Sequence, residues 1–122
     1  MSVVQIVADA IPTDTEIETP SHHAKFKVRH YGISYVALEI GKGRAIKIPI
    51  RCFEGSLDYL RGKGWIKIGA HHGSSNEQTF DSYVKNFTSG ISAASYVAPM
   101  LEKAGIVEIE KGPPARIRLM EK

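Results

Sequence analysis

The sequence predicts an α+β protein in which N-terminal antiparallel strands precede a mainly helical region that closes in a hairpin. Three observations predict it. Apolar and polar residues alternate with period two through much of 24–51. From residue 52 the apolar spacing changes to i, i+3, i+4, i+7, the period of a helix. Near the C-terminus two more alternating runs, IVEIEKG and ARIRLM, sit on either side of a turn at KGPP.

The elements follow in order. VVQIVADAI (3–11) is rich in β-branched residues and reads as a short strand. PTDTEIETPSHH (12–23) is polar, holds two prolines and has no period, so it reads as a mobile acidic linker. AKFKVRHY (24–31) puts Phe26 and Val28 on one face and Lys25, Lys27 and Arg29 on the other, a half-buried strand. ISYVALEIG (33–41) and RAIKIPIR (44–51) form a hairpin about GKG, whose glycines accept positive φ. Pro49 cannot donate to a ladder, so this strand is expected at an edge.

CFEGSLDYLRGKG (52–64) carries Phe53, Leu57 and Leu60 at helical spacing, weakened at Gly55. WIKIGA (65–70) reads as a short strand. NEQTFDSYVKNF (76–87) is an amphipathic helix, with Ser74 and Glu77 in the S-x-x-E spacing of a capping box. SAASYVAPMLEKAG (92–105) is a third helix closed by Gly105, with Pro99 inside it to kink it or disturb its first turns. The expected organisation is therefore an N-terminal strand and linker (1–23), a basic β module (24–51) and a C-terminal unit (52–122).

With 122 residues, 43% of them hydrophobic, the chain suits one compact domain with a real core and is not globally disordered. Cys52 is the only cysteine, which excludes an internal disulfide and zinc sites of the CxxC type. It also favours a reducing compartment. The N-terminus lacks a basic n-region, and no run approaches 18 apolar residues. The expected location is cytoplasmic, with no membrane partner.

Charge is unevenly spread. Residues 1–24 hold Asp9, Asp14, Glu16 and Glu18 and no Lys or Arg. Residues 25–67 hold ten basic side chains against Glu39, Glu54 and Asp58, a local charge of +7. Such a segment is a plausible footprint for a phosphate backbone. Within it, Lys42, Arg44, Lys47 and Arg51 on the hairpin are the expected phosphate contacts, and Tyr31 and Tyr35 are the expected stacking side chains.

The C-terminal order is helix, short strand, helix, turn, helix, strand, strand, and L-x-x-A-G-I-V-x-I joins the last helix to its strand. This resembles the winged helix-turn-helix fold, ordered H1-S1-H2-H3-S2-S3, over about residues 52–122. The resemblance implies that helix 92–104 is the recognition helix, with Ser89, Ser92, Ser95 and Tyr96 at its start facing DNA and Lys111 and Arg116 in the wing. That helix has no Arg, Asn or Gln for bidentate base contacts, so base readout is expected to be limited. A homodimer, paired through strand 3–7 or the edge at Pro49, fits the same resemblance.

Other chemistries fit less well. The pairs His22-His23 and His71-His72 would need one histidine from each, plus Asp81 or Glu77, to hold a metal ion, and their spacing does not fix that geometry. GSSNE lacks the second glycine of a nucleophile elbow. Asp58, Glu39 and Glu54 are too scattered for a nuclease, and GKGRAIK is not a P-loop. Cys52 and Trp65 read as core. The expected function is thus a non-enzymatic nucleic-acid-binding protein without cofactor or metal, with DNA preferred to RNA. The alternatives are a protein-interaction module and a subunit of a larger enzyme.

Overall fold

The computed structural model describes residues 2–20, 24–41, 43–69, 79–88, 93–112 and 115–120. It is a mixed α+β structure built on a four-stranded antiparallel sheet and several helices. The sheet runs β1 (Glu16–Glu18), β2 (Lys25–Tyr31), β3 (Tyr35–Ile40) and β4 (Arg44–Pro49) in simple sequence order. Alternation sets its two faces: Phe26, Val28, Val36, Leu38 and Ile48 are buried on one, while Lys25, Tyr35 and Lys47 belong to the other. Gly41 and Gly43 both adopt positive φ, which closes the β3–β4 turn in the conformation that glycine tolerates best.

The N-terminus departs from expectation twice. Residues Val3–Ala10 form a helix, α1, and not a strand. The β-branched composition suggested a strand, but Val4, Val7 and Ile11 recur at helical spacing and are all buried. Ser2 and Gln5 form a reciprocal capping box, an S-x-x-Q signature that the composition obscured. A second cap comes from far along the chain. The Glu54 carboxylate accepts from the N–H groups of Val3 and Val4, at 3.2 and 2.9 Å, where the helix dipole favours negative charge. The second departure is that part of the linker expected at 12–23 is strand β1, which pairs along β2 with Glu16 opposite Lys27 and Glu18 opposite Lys25.

After β4 the chain turns into α2 (Ile50–Glu54) and α3 (Ser56–Leu60), two short helices with Gly55 between them in place of one helix over 52–64. Gly55 is a packing requirement as well as a weak helix former. A Cβ there would lie 2.6 Å from the Tyr83 hydroxyl, which donates to the Cys52 carbonyl at 2.8 Å. β5 (Ile66–Lys67) follows, then α4 (Phe80–Lys85), capped by Thr79 Oγ1 accepting from Ser82 N–H. The expected cap at Ser74 and Glu77 lies outside the described residues. Tyr59, Phe80, Tyr83 and Phe87 stack or tilt against one another with ring centroids 4.5 to 6.5 Å apart.

The last helix, α5 (Ala94–Lys103), ends as its sequence predicts. Gly105 has φ +76, its N–H donates to Glu102 O, and the Ile106 N–H donates to Leu101 O. This is a complete Schellman stop. Pro99 is buried within the helix, and the first turn is tightened, with Tyr96 and Val97 N–H both donating to Ala93 O. β6 (Val107–Glu110) and β7 (Arg116–Leu119) then pair, and β5 adds to β7, giving a second sheet in the order β5-β7-β6.

One cluster of buried side chains joins these parts, from Val4 of α1 through Phe26 and Leu38 of the sheet to Met100 and Ile117. Six residues of α5 are buried: Ala94, Val97, Ala98, Pro99, Met100 and Leu101. No helix among the described residues is long and apolar enough to cross a membrane.

Candidate nucleic-acid interface

The bases on and next to the four-stranded sheet fall into two groups. On β2, Lys25 pairs with Glu16 at 3.6 Å and Lys27 with Glu39 at 4.0 Å. Arg29 lies between Asp14, at 2.8 Å, and Glu39, at 3.4 Å. Exposed pairs of this kind are each worth only about 0–1 kcal/mol of stability. Their larger effect is on the field. Three of the four acids of the N-terminal stretch carry charge within reach of the basic strand once β1 pairs with β2, so the three bases of β2 are balanced in space.

The second group lies along β4 and the start of α2. Arg44, Lys47 and Arg51 are exposed and form no ion pair among the described residues. Lys47 Nζ sits 4.7 Å from the centre of the Tyr35 ring, and the Arg51 guanidinium 5.9 Å from that of Phe87. Both contacts hold the cations in place and leave their charge uncancelled. Lys42, expected beside them, lies outside the described residues. β4 is an outer strand, as Pro49 suggested. The Ile50 N–H donates to Ser34 O, so residues in register with Ile50 face β3, and Ala45, Lys47 and Pro49 face outward. An outward proline has no N–H to offer, and an outward lysine resists close approach of another strand, so this edge is blunted against sheet extension.

The residues expected on the recognition helix lie elsewhere. Tyr96 packs edge-on against Phe26, with centroids 5.1 Å apart and planes at 71°. Phe26 belongs to the buried face of the sheet, whereas Lys47 belongs to the other. The sheet therefore separates α5 from Lys47, whereas Arg44 belongs to the face that carries Ile46 and Ile48, and Arg51 lies on α2. Ser95 is half-buried, and Ser89 and Ser92 fall outside the described residues. In the second sheet Arg116 is engaged by Glu110, its cross-strand partner, and Arg118 by Glu108 at 3.1 Å. Lys111 is exposed. The expected site thus resolves into three places: the β4–α2 edge, the β6–β7 hairpin and a largely buried helix.

Of the stacking candidates, Tyr31 is committed to structure. Its hydroxyl donates to Ile11 O at 2.7 Å, and burial pushes its pKa up to about 12. Tyr35 carries Lys47 over its ring. Trp65, expected in the core, is half-buried outside the core cluster, with the Arg118 guanidinium 4.5 Å from its ring centre. Cys52 is buried, and burial raises its thiol to about 12, so it is an inert core residue. The two histidine pairs, Ser74, Ser75 and Glu77 are outside the described residues. Among those described, no group of three His, Cys, Asp or Glu side chains is placed to hold a metal ion.

A residue that sequence reasoning missed is Ile33, assigned to strand 33–41. It is 101% exposed at the apex of the β2–β3 turn, and the strand begins at Tyr35. The turn closes through Gly32 N–H donating to Tyr35 O at 2.8 Å. A Cβ on Gly32 would come within 2.9 Å of that same oxygen, so glycine is needed there. The signal was legible as a glycine before an apolar residue and a serine, but the apolar run masked it.

Buried hydroxyl and thiol groups make one consequence measurable. Tyr31, Tyr83 and Cys52 ionise near 12 in the folded chain, against ordinary values of 10, 10 and 9, chiefly because burial disfavours the anion. Each holds its proton more tightly folded than unfolded. Their contribution is therefore fully present below about pH 9 and is lost as pH rises towards 12. Thermal melts across that range are expected to show a falling Tm, and Tyr83→Phe should make the fall shallower. A flat profile would contradict it.

No protein-family model, curated protein or solved structure matches this chain.

Proposed function

We propose that this chain is a non-enzymatic nucleic-acid-binding protein that docks on the phosphate backbone through Arg44, Lys47 and Arg51, with DNA preferred to RNA. The observation that carries this reading is the segregation of charge. The three bases of β2, Lys25, Lys27 and Arg29, are matched with carboxylates, whereas Arg44, Lys47 and Arg51 form no ion pair among the described residues and follow one another along β4 and the start of α2. We further propose that the C-terminal part is a winged helix-turn-helix unit. Its order α2/α3, β5, α4, α5, β6, β7 and the central place of β7 in its sheet support that reading. In it α5 serves chiefly as the packing helix between the two sheets, and Lys111 and Arg116 at the hairpin make secondary contacts. Base readout is correspondingly slight, since phosphate contacts position a protein without specifying sequence.

The test is a titration of the whole chain with random-sequence duplex DNA and RNA across salt concentrations. Three phosphate contacts predict a log–log slope of about −2.7 for the duplex, from roughly −0.9 per contact. Absence of binding even at low salt would overturn the reading.

A further inference from the structure

On the reading that the β4–α2 edge binds duplex DNA, we infer that Ile33 is an apolar wedge that enters a base step beside that edge. Several observations place it there. Ile33 is completely exposed, while its neighbours in the turn are held fast. Gly32 closes the turn onto Tyr35, the Tyr31 hydroxyl anchors the incoming strand to Ile11 O, and Ser34 O accepts from Ile50 N–H at 3.0 Å. That last bond ties the apex to the first residue of α2, one position before Arg51. From the other side Lys47 reaches over Tyr35, two residues beyond Ile33. The apex is thus an apolar point on a hydrogen-bonded turn, and the elements it is bonded to carry the unpaired Lys47 and Arg51.

Rigid presentation matters because opening a base step has a cost. Proteins that bind by bending insert Ile, Leu, Phe, Met or Pro between bases, and the greater contact that the bent duplex allows offsets the unstacking. A mobile side chain would lose in ordering what it gains in contact. Pyrimidine–purine steps, which unstack most easily, are the expected targets. An anionic membrane is the other surface that joins basic charge to an apolar point. It is disfavoured because only one side chain is free to enter: Tyr31 is tied to Ile11 and Tyr35 lies beneath Lys47.

The experiment uses the whole chain and a short duplex with one central TA step carrying 2-aminopurine, whose fluorescence rises when it unstacks. Wild type and Ile33→Leu are expected to raise the signal. Ile33→Ser is expected to abolish the rise and weaken binding roughly tenfold, as loss of one buried aliphatic contact implies. The salt slope should stay unchanged, because no phosphate contact is removed. Since Ile33 touches no core residue, circular dichroism should show all three proteins equally folded. Equal binding and equal fluorescence for Ile33→Ser and wild type would overturn the wedge and leave the docking reading standing. Failure of wild type to bind any duplex would overturn both. Binding to phosphatidylserine vesicles that depends on Ile33, without a fluorescence rise on the duplex, would assign the residue to a membrane and overturn the inference.

Discussion

Replacing Lys47 and Arg51 together by glutamate is expected to lower affinity for random-sequence duplex DNA by roughly a hundredfold at about 0.1 M salt. The estimate follows from counterion release. Each phosphate contact contributes about 0.9 to the log–log slope, which at that salt corresponds to nearly a factor of ten. Two lost contacts give most of the hundredfold, and the introduced repulsion supplies the rest. The salt slope should shrink by about 2. The matching control is Lys25→Glu, which reverses a charge already paired with Glu16 and should change binding far less. Far-UV spectra should stay alike, since both side chains are exposed and the contacts they lose, with Tyr35 and Phe87, are worth about 0.5–1 kcal/mol each at such sites. If Lys25→Glu proved as damaging as the double reversal, the whole basic stretch would be the contact surface and the segregation of charge would have no functional meaning.

The second large effect concerns stability. Gly55→Ala would ordinarily help a helical segment, because alanine is favoured over glycine by about 1 kcal/mol, and Gly55 already has right-handed helical φ and ψ. Here the opposite is expected, a loss of about 2 kcal/mol. The new methyl would meet the Tyr83 hydroxyl at 2.6 Å. Tyr83 cannot swing aside freely, because its ring is stacked on Tyr59 at 4.5 Å and packed on Phe80 and Phe87. Overpacking costs about 1–3 kcal/mol. Displacing the hydroxyl also forfeits its bond to Cys52 O, worth about 1 kcal/mol. These terms together outweigh the gain in helix propensity. Denaturant melts of Gly55→Ala, Tyr83→Phe and the double variant would separate them. Once the hydroxyl is gone, adding the methyl should be nearly neutral, a coupling of more than about 1 kcal/mol between the two sites. An alanine variant more stable than wild type would show that propensity governs the position.

Much of the fold was legible in the sequence. Period-two alternation marked β2, β3 and β4, because one face of that sheet is buried and a slip of one residue would expose Phe26 and Leu38. The stop at Gly105 was legible for a local reason: few residues other than glycine adopt its φ. What escaped was set by distant partners. The helix α1 is secured by Glu54, and strand β1 forms because Ile17 is buried opposite Phe26 of β2. The candidate site was less legible. Charge counted along the chain gave a block of +7, but pairing in space decides which charges remain unmatched, and no spacing rule reports that. The burial of α5 escaped for the same reason, since its partner Phe26 lies seventy residues before Tyr96.

The cap that Glu54 places on α1 also bears on the order in which the chain matures. The two halves of that contact are 51 residues apart, so at about 5–20 residues per second the ribosome needs roughly 3–10 s to supply the second half after the first. Until then the first helix has only its own capping box, and a helix of eight residues is marginal alone in water. Its apolar side, Val4 and Val7, must wait for α2 and α5. The helix α1 is therefore secured only well after it has been made, and that interval is when it would be most open to chaperones and proteases.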